Sequence, residues 1–116
     1  VPTDFDAALS VDRLRLAGAT VISAEGEVDH VTVARLRRSV DRVAPGSGPL
    51  VLDLSGVTFF GSAGVACLLD VRRRARSSRI DLRLTCSPVV ARMLDLTGVA
   101  GEVVVFDSVS AALSAP

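Results

Sequence analysis

Ser62 stands in the run Phe60-Gly61-Ser62-Ala63-Gly64, a hydroxyl with only small residues beside it. Three kinds of chemistry fit such a serine: nucleophilic attack, acceptance of a phosphoryl group, or capping of a helix. A hydrolase elbow reads Gly-x-Ser-x-Gly, and Phe60 holds the first glycine position here. The one histidine, His30, lies upstream of Ser62, whereas that fold places its histidine after the serine. No lysine occurs anywhere, so a phosphate-binding P-loop is excluded. One histidine and two separated cysteines, Cys67 and Cys86, make no metal set. Catalysis and a bound cofactor are therefore not expected. Modification and capping both stay open.

The elements that must position Ser62 can be read from the hydrophobic pattern. Thr20-Val21-Ile22-Ser23-Ala24 is a β-rich run ending at Gly26. Residues 8–16 alternate loosely before the turn Ala17-Gly18-Ala19, which predicts an antiparallel hairpin at a sheet edge. Asp29 reads as the N-cap of an amphipathic helix of about 13 residues. Val33, Leu36, Val40 and Val43 fall on its inner face, and Arg35, Arg38 and Arg42 fall opposite. The segment from Pro45 to Pro49 stops it.

Leu50 to Leu54 is an almost continuous apolar run, as a strand covered on both faces requires. Ser55 to Gly61 reads as a loop, and a second helix runs from Ser62 to about Arg76. At helical spacing Gly64, Leu68, Val71 and Ala75 point inward, while Ala66, Leu69 and Arg73 share an outer stripe with Ser62. Ile80 to Cys86 alternates, predicting one buried face and one in water. Ser87-Pro88 opens a third helix that Gly98 closes. Residues 103–106 form a last strand, and Ser108 caps a short terminal helix. The expectation is a small single-domain α/β fold over residues 1–116. Its mixed sheet has about five strands, with about four helices.

Composition limits the partners. The formal net charge is zero, which argues against nucleic acid or an anionic membrane. The run Arg72-Arg73-Arg74, Arg76 and Arg79 ends a helix, where positive charge suits the dipole. Residues 1–30 hold six acids against two arginines, and the remainder holds seven acids against eleven arginines. The acidic segment Glu25 to Asp29 is either solvated surface or a polar binding face. Both cysteines read as small buried hydrophobes, with a redox pair as the alternative. No stretch approaches a membrane span and no signal peptide is evident, so the expected compartment is the cytoplasm.

Three segments carry a resemblance to the STAS domain family, and within it to bacterial anti-sigma factor antagonists. They are Gly26-Glu27-Val28-Asp29-His30, then Val51 to Phe59 leading into Gly61-Ser62-Ala63-Gly64, and Val90 to Val99. The middle segment is similar to the family's phosphoacceptor sequence, usually Asp-Ser-Ser-Gly or Asp-Ser-Ala-Gly. Gly61 departs from it in lacking the acid. The resemblance implies partner switching: the unphosphorylated chain binds an anti-sigma factor that is itself a serine kinase, freeing a sigma factor. Phosphorylation at Ser62 would end binding, and a serine phosphatase would reset it. The expected binding face comprises Glu25, Asp29, His30, Gly61, Ser62, Ala63, Gly64, Ala66 and Leu69. Some family members instead serve as accessory subunits in lipid transport or signalling complexes, where the serine need not be modified.

Overall fold

A two-residue turn starts the sheet. Ala17 and Gly18 both take positive φ, 53° and 78°, the pairing that a tight hairpin turn matched to strand twist demands. The computed structural model describes residues 4–5 and 8–116, so Asp6, one of the six acids of residues 1–30, lies outside the described residues. Strands β2 (Leu9–Leu16) and β3 (Ala19–Val28) pair antiparallel across this turn. A short β1 (Asp4–Phe5) adds to the outer side of β2. The hairpin is therefore not itself the sheet edge. Strands β4 (Leu50–Phe60), β5 (Leu82–Cys86) and β6 (Val105–Phe106) follow in parallel, giving the order β1-β2-β3-β4-β5-β6. The sheet is mixed, with the five expected strands and β1 as a sixth.

Among the described residues four α-helices connect or follow these strands: α1 (Val33–Asp41), α2 (Ser62–Ser77), α3 (Pro88–Leu96) and α4 (Val109–Ser114). Successive strand residues point to opposite faces, and the core divides accordingly. Ile22, Leu52, Leu54 and Leu84 pack with Leu36, Val40, Leu68, Val90 and Leu94, so α1 to α3 share one face. Val21 and Val51 point the other way and pack with Ala112 of α4. The inner faces expected for α1 and α2 are the buried ones, except that Val33 is only partly buried.

Several elements differ from the pattern reading. Strand β4 runs through the segment expected to be a loop, because Gly56, Val57, Phe59 and Phe60 continue to pair with β3 past two register shifts. Helix α1 has nine residues and Thr32 as its N-cap. Asp29 stands just ahead, where Oδ1 accepts the N–H groups of Val31 and Thr32, each at 2.9 Å. The last strand is shortened to Val105–Phe106 by a 3₁₀ turn at Ala100–Glu102. Strand β5 has no water-facing side. Arg83 and Thr85 are buried there, Arg83 beneath the end of α4 and Thr85 on the Asp53 carboxylate at 2.6 Å. As expected, Ser87 and Ser108 cap α3 and α4, and Gly98 follows α3 with φ of +75°.

Arginines close the end of the sheet where the parallel strands begin. Arg74 donates to the carbonyls of Val40 (2.9 Å), Asp41 (3.3 Å) and Val43 (2.8 Å), satisfying the orphan acceptors at the end of α1. Arg83 does the same for α4, donating to Ala112 and Ala115 while its other nitrogens hold Asp81. Arg15 donates to Ser47 and Thr20. Arg72 holds Glu102, and Arg73 holds Asp70. Much of the basic run thus serves as internal tethers.

Candidate functional site

At the opposite end, where β3 and β4 finish, the chain is open. Gly61 N–H donates to the Val28 carbonyl at 3.1 Å, extending the ladder one step beyond Phe60 and pinning the start of α2 beside the end of β3. Gly61 is the N-cap of α2, with extended backbone and no side chain to offer. Ser62 is thus the first helical residue rather than the cap. It is exposed, and its hydroxyl makes no hydrogen bond among the described residues. The N–H groups of Ser62 and Ala63 have no carbonyl one turn earlier to bond, so the positive end of the helix dipole faces outward there.

A hollow of about 180 Å³ forms here, lined by Asp29, His30, Phe59, Gly61, Ser62 and Ala63. The β3–α1 turn supplies Asp29 and His30. Its shape is set by Thr32, whose buried hydroxyl donates to the Glu27 carbonyl at 2.7 Å and accepts the Asp29 N–H at 3.0 Å. The N–H groups of Thr32 and Val31 hold the Asp29 carboxyl below the usual carboxylate range. Asp29 is therefore ionised at neutral pH and partly committed to the turn.

The expected site residues do not all gather. Asp29, His30, Gly61, Ser62 and Ala63 share the hollow. Gly64 is buried rather than open, because the Phe60 ring lies against its backbone. A Cβ there would meet three ring atoms at 2.7–2.9 Å. Ala66 is exposed one turn further along α2, whereas Leu69 is half-buried against the core and offers less surface than an exposed leucine. Glu25 is exposed but pairs with Gly56, three residues before the end of β3, roughly 10 Å from the hollow.

The residue that sequence reading missed is Phe59. It is 50% exposed and lines the hollow. Its signal was present in the Phe59-Phe60 pair: on a strand only one of two neighbours can face the core. The loop assignment for this segment hid it.

The other reactive side chains are quiet. Cys67 and Cys86 are free, and burial pushes both thiols up to about 11. They stay protonated at neutral pH, which does not suit a redox pair. Among the described residues no cluster could hold a metal ion, and no helix is long and apolar enough to cross a membrane.

The fold is shared with known proteins. The family model of the STAS domain matches residues 11–112, and the chain belongs to the STAS domain family. It is 35% identical over 99 residues to Rv2638 of Mycobacterium tuberculosis, a candidate anti-anti-sigma factor. That match covers 82% of this chain and 67% of the relative. It is 32% identical over 101 residues to the anti-sigma-F factor antagonist RsfA of the same species, covering 84% of this chain and 79% of that one. Among solved structures, an anti-sigma factor antagonist from Mycobacterium paratuberculosis superposes with a TM-score of 0.82 at 26% identity, over 92% of both chains.

Proposed function

We propose that this chain is an anti-sigma factor antagonist of the cytoplasm whose grip on its partner is switched off by phosphorylation of Ser62. The partner in this reading is an anti-sigma factor that is also a serine kinase. A serine phosphatase returns Ser62 to its free state. The chain itself performs no catalysis.

One observation carries the reading: an exposed Ser62 hydroxyl, without a hydrogen bond among the described residues, in the first turn of a helix whose N-cap has no side chain. A phosphate there adds about −1.5 to −2 charges. The helix N-terminus tolerates that charge, so the fold survives. A partner packed over the hollow would have to bury the new charge beside Asp29 and the Phe59 ring, and desolvation of an unpaired charge is costly. The modification therefore acts on binding rather than on stability. Family membership and the names of the two relatives support the same reading.

Paired baits test it. Ser62→Ala and Ser62→Asp variants are used to draw partners from lysate of the source organism, with mass spectrometry of what is held. Capture of a kinase-type anti-sigma factor by the alanine form, lost with aspartate, is the expected result. Equal capture by both baits contradicts the switch.

A further inference from the structure

We infer that Phe59 is the specificity-determining anchor of the partner-binding face, an aromatic side chain that enters an apolar pocket on the anti-sigma factor. The inference rests on the reading above for the identity of the partner. It does not depend on phosphorylation.

Three observations place the anchor at Phe59. Strand alternation buries Phe60 at 4% exposure and turns Phe59 outward at 50%. The Phe59 ring stands over Gly61, since a Cβ built there would lie 3.1 Å from Cε2 and 3.4 Å from Cζ. The ring therefore uses the space that glycine leaves empty, and it forms a wall of the same hollow as Ser62. Val31, next in the chain to the lining residue His30, is 70% exposed. Half-exposed aromatics ringed by polar groups have the make-up of interface hot spots.

Charge defines what fits over them. The lining contains Asp29 and no arginine, and Glu27 is exposed two residues before Asp29. The complementary surface is an apolar pocket for one ring, bordered by basic side chains. Gly61 sets the ring's position. Any side chain at 61 would move the ring by a few tenths of an ångström or more.

The test uses the full chain and its purified anti-sigma factor, with affinity measured by calorimetry. Phe59→Ala is expected to weaken binding by roughly 30-fold or more, the scale of an interface hot spot, with Phe59→Leu losing less. In the free protein, NMR of Phe59→Ala should show loss of the ring-current shift on the Gly61 and Ser62 amide protons, while native dispersion of the remaining amide signals establishes that the variant is folded. Gly61→Ala should displace that shift and weaken binding, and its effect on binding should vanish in the Phe59→Ala background. Wild-type affinity for Phe59→Ala overturns the inference. So does sedimentation showing that the wild-type chain alone is a dimer that Phe59→Ala converts to monomer, since a second copy would then be the occupant. If Phe59→Ala weakens binding while Ser62→Asp does not, the anchor stands and the phospho-switch falls.

Discussion

The two ends of the sheet are built on opposite plans. Where the parallel strands begin, backbone carbonyls are closed by arginines: Arg74 at the end of α1, Arg83 at the end of α4 and Arg15 on the loop before β4. Where they finish, glycine caps α2, a hydroxyl stands without a hydrogen bond among the described residues and an aromatic ring is half bare. The first end spends its polar groups on the fold. The second leaves the Ser62 hydroxyl and the Phe59 ring uncovered. The contrast teaches that stability and recognition can be changed separately in this molecule, because few residues serve both.

The largest effect should come from breaking the closed end. Arg83 is only 6% exposed, so Arg83→Ala strands the carbonyls of Ala112 and Ala115 and frees the terminal helix from the sheet. A loss of about 2–4 kcal/mol is expected from hydrogen bonds to a charged donor and the buried acceptors left behind. Urea unfolding would show it, while affinity of the remaining folded protein for the partner stays unchanged.

Gly64 lies at the open end but belongs to the core, and Gly64→Ala sharpens the boundary between the two plans. A methyl group would strike the Phe60 ring, costing about 1–3 kcal/mol by overpacking. Helix propensity would return at most about 1 kcal/mol. Net destabilisation by thermal melt is the expected outcome, and a gain in stability would show that Phe60 can move aside.

Acid should separate the ends more gently. Burial raises the Asp53 carboxyl, but the hydrogen bonds from Ser55, Thr85 and Ser23 outweigh it and hold it below the usual range. Arg37 and Arg73 lower Asp70 in the same direction. A carboxyl depressed in the folded state contributes stability that is present above the unfolded value of about 3.9. That contribution is lost as pH falls through the lower folded value. Unfolding midpoints measured downward from pH 5 should drop, and Asp53→Asn should flatten the slope.

The smallest effects concern groups the fold leaves alone or seals. Ser62→Ala removes no hydrogen bond and should change stability by less than about 0.5 kcal/mol. The thiols of Cys67 and Cys86 should react with a thiol reagent slowly at neutral pH and promptly after denaturation, consistent with values near 11. Fast native reaction would show that one of them is reachable.

Much of this division was legible in the chain. The inner faces of α1 and α2, the Ser87-Pro88 start, the Gly98 stop and the Ser62 region all follow from local periodicity and capping chemistry. What was not legible depends on distant partners. The second half of β4 contains Ser55, Gly56 and Thr58, which read as a loop, yet β3 holds it as a strand through an irregular register. The polar residues of β5 alternate as if for water, but the end of α4 and the Asp53 carboxylate claim them. Leu69 shares the Ser62 stripe by angle, and contact with the core still half-buries it. The lining of the hollow was legible in Ser62, Asp29 and His30, and incomplete without the strand that turns Phe59 outward.

The most direct test places phosphoserine at position 62 during synthesis and compares modified and unmodified protein for affinity to the purified anti-sigma factor by calorimetry. Thermal unfolding of each is measured in parallel. The account predicts an affinity loss of about 100-fold or more, of the order of leaving one buried charge unpaired, with the melting temperature nearly unchanged. Equal affinity, or a loss of affinity that accompanies collapse of the fold, would contradict it.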